Sequence, residues 1–230
     1  MQGILLIDKP AAWTSFDVVN YVRRIVATAE GKKPKHCKVG HTGTLDPFAT
    51  GLLVVLIGKE YTRKAQGLSK VDKTYEVTMK LGEMSTTGDP EGEISVVANI
   101  PPPTLAAVRL AVEQFRGQIE QVPPAYSAIK INGQRAYKLA RAGQTVVIEP
   151  RPVTINRLEI TDYDYPLITY SADVGSGTYL RTLSEDIAKA LGSGAYTTVL
   201  RRTRVGRFDI KDACSVEGLS PEKIFERLLI

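Results

Sequence analysis

The sequence contains little of what disulfide-rich or metal-binding proteins need. Its two cysteines, Cys37 and Cys214, lie far apart in the chain and form no CxxC pattern. Two thiols are too few for a disulfide framework or for a thiolate metal site. The only two histidines, His36 and His41, do not suggest a metal centre either. The sequence therefore predicts a cytosolic protein with reduced thiols and without a metal ion.

Long hydrophobic runs are also missing. The apolar run at residues 4–7 is followed at once by Asp8 and Lys9, and it is too short for the core of a signal peptide. No later run reaches the ~20 residues of a transmembrane helix, so no membrane association is expected. With 43% hydrophobic and 24% charged residues, the composition is that of an ordinary globular protein rather than a disordered one.

Positive charge is moderate in total, with a net charge of +5 and a pI near 9.1, but it is unevenly distributed. The basic residues concentrate in three clusters, which are Arg23, Arg24, Lys32, Lys33, Lys35 and Lys38, then Lys130, Arg135, Lys138 and Arg141, and finally Arg201, Arg202, Arg204 and Arg207. Tyr126 and Tyr137 are interleaved with the second cluster. Cations attract phosphates and aromatic rings stack on bases, so this pattern favours a nucleic acid partner. Each cluster alone is equally compatible with a solvated surface.

Hydrophobic periodicity predicts a mixture of helices and strands. Residues 3–7 and 52–57 are apolar runs of strand length, and the second is expected to be buried on both faces near the middle of a sheet. Thr14 and Asp17 have the spacing of a capping box at the start of a helix that ends before Gly31. Further strands are predicted at 74–81, 153–161, 168–174 and 204–210, and further helices at 104–116, 135–142, 180–191 and from Ser220 onward.

The order of these elements predicts the fold class. Residues 92–97 are expected to pair with the strand at 74–81 across a turn at 82–91, and such hairpins alternate with helices. This mixture is typical of an α+β domain whose largely antiparallel or mixed sheet is flanked by helices. Residues 121–152 differ from the rest, because prolines near both ends enclose basic and aromatic residues. They are predicted to form an insertion that projects from the core.

The least ordinary segment precedes the buried strand. Residues 40–51 read GHTGTLDPFATG, with small residues on both sides of Asp46. Small residues permit close approach of a ligand. On these residues alone, Asp46 followed by Pro47 is also compatible with an ordinary turn. His41 is likewise compatible with a structural hydrogen-bonding role.

The segment resembles the catalytic signature of the bacterial TruB family of tRNA pseudouridine synthases, a GHTGxLDPxATG loop that holds a nucleophilic aspartate. Other family motifs are matched in order by LIDKP at 6–10, DKTY at 72–75, GTYLRT at 177–182, and Gly194-Ala195 followed by LRR at 200–202. The resemblance implies a pseudouridine synthase fold and an isomerase. Its expected reaction converts the T-arm uridine at position 55 of tRNA to pseudouridine by base flipping, and it needs no cofactor.

The resemblance also implies a role for each matched residue. Asp46 is the expected nucleophile, and Arg181 the cation that keeps it ionised and directed. Tyr75 is expected to cover the target base and to move a proton from carbon late in the reaction. His41 is expected to brace the space that the flipped base leaves. Lys9 and Pro10 are expected to support the site, and Tyr179 and Leu200 are expected to form part of the pocket wall.

In the family, the segment that corresponds to residues 121–152 closes over the T stem-loop. RNA contacts are therefore expected from Lys130, Arg135, Lys138 and Arg141. Family members usually continue into a small carboxy-terminal PUA domain, whereas this sequence stops at Ile230. The expectation is a single catalytic domain over residues 1–230 without a PUA domain. It is expected to act as a monomer on the tRNA T stem-loop with no obligatory protein partner, and a further role in tRNA folding is compatible with it.

Three alternatives remain at this point. An RNA-binding protein or tRNA folding chaperone would grip the T arm without catalysis, but it would have no use for a buried carboxylate such as Asp46 facing a polyanion. A nucleotide-dependent enzyme is disfavoured because the sequence has neither GxxxxGK[ST] nor GxGxxG. An RNA-guided relative that works in a complex is disfavoured by the compact ends of the chain and by the bacterial type of insertion.

Overall fold

The computed structural model describes residues 1–97, 101–127, 129–131 and 133–230, with only the backbone of Gln66, so the segment 121–152 is described without residues 128 and 132. The strands are β1 (Gly3–Lys9), β2 (Val39–His41), β3 (Thr50–Ile57), β4 (Lys73–Leu81), β5 (Glu83–Ser85), β6 (Ile94–Val96), β7 (Gly117–Gln121), β8 (Lys130–Ile131), β9 (Gln134–Arg135), β10 (Arg151–Asp164), β11 (Leu167–Val174), β12 (Ala195–Val205), β13 (Phe208–Asp209) and β14 (Cys214–Ser215). The helices are α1 (Ser15–Ala29), α2 (Lys59–Arg63), α3 (Ala65–Ser69), α4 (Leu105–Glu113), α5 (Ala136–Arg141), α6 (Leu180–Ala190) and α7 (Pro221–Arg227).

The chain forms two compact units. Unit 1 comprises Met1–Tyr75 and Arg201–Ile230, and unit 2 comprises Glu76–Leu200. Strands β4 and β12 have residues in both units. The single catalytic domain expected from the sequence stays a prediction. Among the described residues, no helix is both long and apolar enough to cross a membrane.

The sheet of unit 1 is organised around β3. Strand β1 runs antiparallel to β3 along its whole length, from Gly3 opposite Ile57 to Lys9 opposite Gly51. On the other edge of β3 lie β2, which is antiparallel, and residues 201–202 of β12, which are parallel. Alternate residues of β1 and β3 enter apolar clusters on opposite faces of the sheet. Both faces are therefore covered, which explains the unbroken apolar run and confirms the predicted central, buried strand.

Helix α1 covers one face of this sheet. Thr14 accepts a hydrogen bond from the Asp17 N–H, and the Asp17 carboxylate accepts one from the Thr14 N–H, so the predicted capping box is confirmed. Val18, Val22 and Val26 are buried against β1 and β3. The predicted helix at Ser220 is also confirmed, because Ser220 caps α7 and Pro221 begins it.

In unit 2 the strand order is β12, β4, β11, β10 and β7. Strand β10 is antiparallel to both β11 and β7. Helix α4 packs against β10 and α6. The helices predicted at 104–116 and 180–191 are confirmed as α4 and α6, which bury Val108 and Val112, and Leu183 and Ile187, respectively.

Two strand predictions are wrong. Residues 92–97 do not pair with β4; instead β6 pairs with the short β5, because the chain turns at Gly82 and β5 follows immediately. The strand predicted at 204–210 is the end of a longer one. Strand β12 begins at Ala195, and at Gly206, which has a φ of +53°, the chain turns back into β13. A tight turn that needs positive φ explains why a continuous strand cannot form there.

The two ends of the segment 121–152 lie side by side. Arg151 and Pro152 of β10 pair with Gln121 and Glu120 of β7. Between these ends the chain forms the β8–β9 hairpin and helix α5, as predicted for residues 135–142. The segment therefore leaves and rejoins the sheet of unit 2 at one place.

Candidate active site

Asp46 lies in the loop between β2 and β3, at residues 42–49, which we call the aspartate loop. Its neighbour Leu45 is held by the buried hydroxyl of Ser15, which accepts the Leu45 N–H at 2.8 Å and donates to the Leu45 carbonyl at 3.1 Å. On the other side, the Pro47 carbonyl accepts the Ala12 N–H at 3.0 Å. The backbone is thus fixed on both sides of Asp46, whose own position is half-buried.

Lys9 ties the end of β1 to this loop. Its side chain is 0% exposed, and its ammonium donates to the carbonyls of Pro10 at 2.8 Å, Trp13 at 2.6 Å and Pro47 at 3.2 Å. A buried ammonium is tolerated only where its donors are satisfied. This geometry suits the supporting role expected for Lys9 and Pro10.

Arg202 of β12 also fixes the aspartate loop. It is 1% exposed, and its guanidinium donates to the carbonyls of Leu52 at 2.8 Å, Gly43 at 3.0 Å and Thr44 at 3.4 Å. From the sequence, Arg202 was predicted to belong to a basic cluster that could bind a polyanion. This prediction is wrong for Arg202, because its side chain is buried. Its neighbour Arg201 is also engaged within unit 1, in a two-point ion pair with Asp8 at 2.7 and 3.1 Å. Both side chains serve the fold because β12 lies beside β3.

Gly51, at the end of the signature, permits this close packing of strands. Its φ is +102°, and a Cβ atom there would lie 2.3 Å from the Arg202 carbonyl oxygen and 2.7 Å from the Arg202 nitrogen. Because both are backbone atoms in a paired strand, Gly51→Ala should lower the free energy of unfolding by about 2–4 kcal/mol. Gly31→Ala is the control, since Gly31 has a φ of +60° but no atom within 4 Å of a Cβ; it should cost only about 1 kcal/mol. Urea unfolding measures both, and equal losses would contradict the steric argument.

His41 and Lys73 lie near Arg202, and both have perturbed protonation. Burial, and then the positive charge of Arg202, lower the pKa of His41, which therefore stays neutral at pH 7. Its buried Nδ1 has no hydrogen-bond partner among the described residues. The same two causes, in the same order, lower the pKa of Lys73 to about 8. Lys73 donates to the carbonyls of Ser69 and Val71, so it orders the chain just before Tyr75.

Tyr75 is buried near the start of β4 and belongs to unit 1, as do Asp46, His41, Lys9 and Pro10. A buried strand tyrosine offers a flat apolar ring with a polar tip. Five of the twelve predicted site residues therefore lie in unit 1. Unit 2 contains the remaining seven, which are Arg181, Tyr179, Leu200, Lys130, Arg135, Lys138 and Arg141.

Arg181 is buried in the first turn of α6 and is held by the loop that follows β5. Its guanidinium donates to the Thr87 carbonyl at 2.7 Å, the Asp89 carboxylate at 2.9 Å and the Tyr126 carbonyl at 2.8 Å. Asp89 is only 2% exposed and also accepts hydrogen bonds from the Thr87 hydroxyl and the Glu91 N–H. This many-point contact fixes the direction of the guanidinium.

Glu185 lies one turn after Arg181 on α6. Burial, and next the negative charge of Asp186, raise the pKa of Glu185 to about 7. The site is tightly packed, since a Cβ atom on Gly88 would lie 2.5 Å from the Glu185 Oε1. Near neutral pH Glu185 is therefore only partly ionised, and the buried carboxylate of Asp89 balances more of the Arg181 charge.

Tyr179 and Leu200 occupy different settings in unit 2. The Tyr179 backbone is held by the buried amide of Gln121, through its N–H at 2.8 Å and its carbonyl at 3.1 Å, and the Arg151 guanidinium lies 5.6 Å from the Tyr179 ring centre. Leu200 is buried in β12. The four predicted cations of the segment 121–152 are all exposed. Among the described residues, no group of three or more His, Cys, Asp or Glu could hold a metal ion.

Comparison with known families places the site in context. The model of the TruB family pseudouridylate synthase N-terminal domain matches residues 30–180. The model of the tRNA pseudouridylate synthase B C-terminal domain matches residues 181–227. The chain belongs to the TruB family. The catalytic signature at 40–51 and Arg181 lie in these two matches, so the resemblance stated from the motifs is confirmed at the level of the family.

Relatives of this TruB family member extend the match to nearly the whole chain. The tRNA pseudouridine synthase B of Burkholderia mallei (strain NCTC 10247) is 44% identical over 227 residues, which are 99% of this chain and 72% of that protein. The protein of the same name from Mycobacterium sp. (strain KMS) is 45% identical over 224 residues, 96% of this chain and 72% of that protein.

Solved structures share the fold. A chain in the crystal structure of a Cbf5–Nop10–Gar1 complex matches with a TM-score of 0.69 and 28% identity, over 93% of this chain and 52% of that one. A chain in the structure of an H/ACA RNP bound to a substrate RNA containing 2'-deoxyuridine matches with a TM-score of 0.66 and 25% identity, over 94% and 52%. The predicted α+β pseudouridine synthase fold is confirmed.

Several residues that build the TruB site were not predicted from its sequence. Ser15 holds Leu45, and Asp89 holds Arg181. Arg202 holds the aspartate loop. Asp89 lies in a turn-rich stretch and Ser15 directly follows a helix cap, so each has an ordinary local explanation. Arg202 sits in a run of basic residues that resembles a surface. For Ser15 and Asp89, no local pattern in the sequence distinguishes the buried polar group from an exposed one, whereas Arg202 lies in the matched LRR motif at 200–202, which was the one available signal.

Proposed function

We propose that this protein is a tRNA pseudouridine synthase that isomerises the uridine at position 55 in the T arm, with Asp46 as its nucleophile. The observation that carries the proposal is the aspartate loop, in which the backbone on both sides of Asp46 is fixed by Ser15, Lys9 and Ala12. A nucleophile must be held in one geometry to act efficiently. The family membership and the relatives named tRNA pseudouridine synthase B support the same reaction.

The chemistry requires rearrangement of a single nucleotide. The bond from C1′ to N1 of the base breaks, the bond from C1′ to C5 forms, and in balance the C5 proton is lost while N1 gains one. No atom or electron is added, so we propose that the enzyme needs no metal or organic cofactor. A carboxylate at Asp46 can support the cleavage by attacking the nucleoside and leaving again, which is covalent catalysis.

We propose that the two units work as one catalytic domain, with Arg181 of unit 2 pairing with Asp46 of unit 1. A cation within ~4–6 Å favours the ionised form of a carboxylate, which is the form able to attack. The three contacts that direct the Arg181 guanidinium support this role. Tyr75 would cover the base and take the proton from C5, and neutral His41 would brace the gap in the RNA.

The remaining expectations join the same proposal. Tyr179 and Leu200 would line the pocket, with Lys9 and Pro10 supporting the aspartate loop. The enzyme would act as a monomer in the cytosol, where tRNA is its substrate, and without an obligatory protein partner. An additional effect on tRNA folding is a second candidate function; an Asp46→Asn variant that still speeds tRNA refolding would separate it from catalysis.

Incubation of the purified protein with an unmodified tRNA transcript, followed by chemical mapping of pseudouridine, tests the proposal. We expect one modified site, at the T-arm uridine, and none in a transcript that carries cytidine there. A chelator arm uses an isolated T-arm hairpin, which folds without added magnesium, and activity should persist. Binding without any pseudouridine would instead favour the RNA-binding alternative, and activity restored only by an added metal would contradict the absence of a cofactor.

The exposed cations of the segment 121–152 should contribute to RNA affinity. Replacing Lys130, Arg135, Lys138 and Arg141 by Ala should weaken tRNA binding by about 10-fold or more and flatten the salt dependence, because each phosphate contact contributes roughly 0.7 to the slope of log affinity against log salt. Filter binding across a salt series measures both quantities. The double variant Lys138→Ala/Arg141→Ala has a matched control in Arg109→Ala/Lys189→Ala, which removes one arginine and one lysine exposed elsewhere in unit 2. Equal losses in the two doubles would contradict a specific role of the segment.

A further inference from the structure

Helix α1 begins beside the aspartate loop and has one side that faces solvent. The helix buries Val18, Val22 and Val26 against the sheet, which leaves its other side to solvent. Phe16 begins this side and is 60% exposed. An exposed aromatic ring next to a basic surface is a feature of proteins that stack nucleic acid bases.

The same side of α1 ends in a cationic groove. This groove has a volume of about 700 Å³ and lies between α1 and the segment 34–39. Its charged lining residues, among those the structure describes, are all cations, namely Arg23, Arg24, Lys35 and Lys38. A concave wall of like charge concentrates the electrostatic potential and so attracts a polyanion.

The groove is built before any partner binds. Arg23 donates to the Asn20 side chain at 2.6 Å and to the Val39 carbonyl at 3.1 Å, and its guanidinium lies 5.8 Å from the Phe16 ring centre. Arg24, Lys35 and Lys38 form no ion pair with any described residue. By contrast, Lys32 just outside the groove is paired with Glu30. Three cations are therefore left available for an external anion.

This surface is continuous with the proposed reaction site. Ser15, directly before Phe16, is hydrogen-bonded to Leu45, directly before Asp46. From Ser15 to Arg24 the helix rises about 13 Å, at ~1.5 Å per residue. That distance corresponds to roughly four nucleotides of one strand, at ~3.4 Å each along a duplex. A single RNA could therefore reach both the aspartate loop and the groove.

We infer that this groove binds the phosphate backbone of the substrate RNA, and that Phe16 stacks on an unpaired base between the groove and the reaction site. The inference rests on the proposed function and extends it, since it adds an RNA-binding surface in unit 1 to the segment 121–152 of unit 2. Phosphates fit the groove because every charged group in its wall is a donor without a paired carboxylate, and Phe16 supplies the stacking that phosphate contacts lack.

The test compares two triple variants that each remove one arginine and two lysines. Arg24→Ala/Lys35→Ala/Lys38→Ala removes the available cations of the groove, and Lys211→Ala/Lys223→Ala/Arg227→Ala removes exposed cations near the end of unit 1. For the groove variant, we expect the Kd for tRNA to rise about 10-fold, and the slope of log affinity against log salt to fall by about 2, from three contacts at ~0.7 each. The control should change the Kd by no more than about twofold and should leave the slope nearly unchanged. Phe16→Ala should weaken binding without changing the slope, because stacking releases no counterions.

Equal changes in the two triple variants would reduce the effect to net charge and overturn the inference, as would normal binding by the groove variant. Circular dichroism checks that each variant is folded, and Arg24→Glu alone, at an exposed position, provides a second version if the triple variant does not fold. Failure of the proposed function has a different signature. Wild-type protein would then form no pseudouridine, whatever the two variants do in binding.

Discussion

Asp46→Asn should abolish pseudouridine formation while tRNA still binds. The amide has nearly the volume of the carboxylate but cannot attack a sugar carbon, and loss of a nucleophile lowers turnover by about 10⁴-fold or more. The loop itself should keep its shape, because its backbone is held through Leu45, Pro47 and Gly43 by other residues. The change should therefore appear in the rate and not in the fold.

Single-turnover assays with chemical mapping measure the rate, and filter binding measures the affinity. Asp212→Asn is a matched control in the same unit, since it makes the same chemical change at an exposed position. It should retain wild-type activity. Turnover by Asp46→Asn within about 10-fold of wild type would exclude Asp46 as the nucleophile. A loss of tRNA affinity as large as the loss of rate would instead point to a binding role.

Local sequence signals predicted the parts of the fold that depend on neighbouring residues. The capping box at Thr14 and Asp17 marks the start of α1, and the apolar run before Gly58 marks β3. Both signals work because the hydrogen bonds or the burial that they describe follow from the sequence within one turn or one strand. The motif at residues 40–51 located the aspartate loop for a different reason, namely its resemblance to a family signature.

Features that depend on contacts distant in sequence could not be predicted in this way. Arg202 is a loop support because β12 lies beside β3, a pairing between residues about 150 positions apart. Asp89 fixes the Arg181 guanidinium because α6 brings Arg181 next to it, although the two residues are 92 positions apart in the sequence. Strand pairing and buried ion pairs of this kind are set by topology, whereas basic or acidic side chains taken alone read as surface residues. The wrong partner strand for β6 has a different, local cause, because its actual partner β5 lies within residues 82–91, which were predicted to form a turn.

Arg181 is the second residue whose replacement should have a large effect. Its buried guanidinium is the counter-ion of Asp89, so Arg181→Ala leaves a buried carboxylate uncompensated and should destabilise the protein by about 3–5 kcal/mol. Arg181→Lys keeps the positive charge but loses the planar fork that reaches Thr87, Asp89 and Tyr126 together. We expect this variant to remain folded and to lose about 10²-fold in rate, since misplacing a catalytic group by about 1 Å has that effect.

Urea unfolding and single-turnover rates at pH 7 separate the two contributions. The matched control is Arg157→Lys, which alters an arginine of unit 2 that is paired with Asp173 and Glu159 but is 41% exposed. Exposed ion pairs contribute about 0–1 kcal/mol, so the control should change neither stability nor rate appreciably. If Arg181→Lys turned over as fast as Arg157→Lys, a merely structural role beside Asp89 would suffice, and the proposed pairing of Arg181 with Asp46 would be wrong. A slow but fully stable Arg181→Lys enzyme would instead assign the loss to the direction of the guanidinium, because charge and fold are both retained.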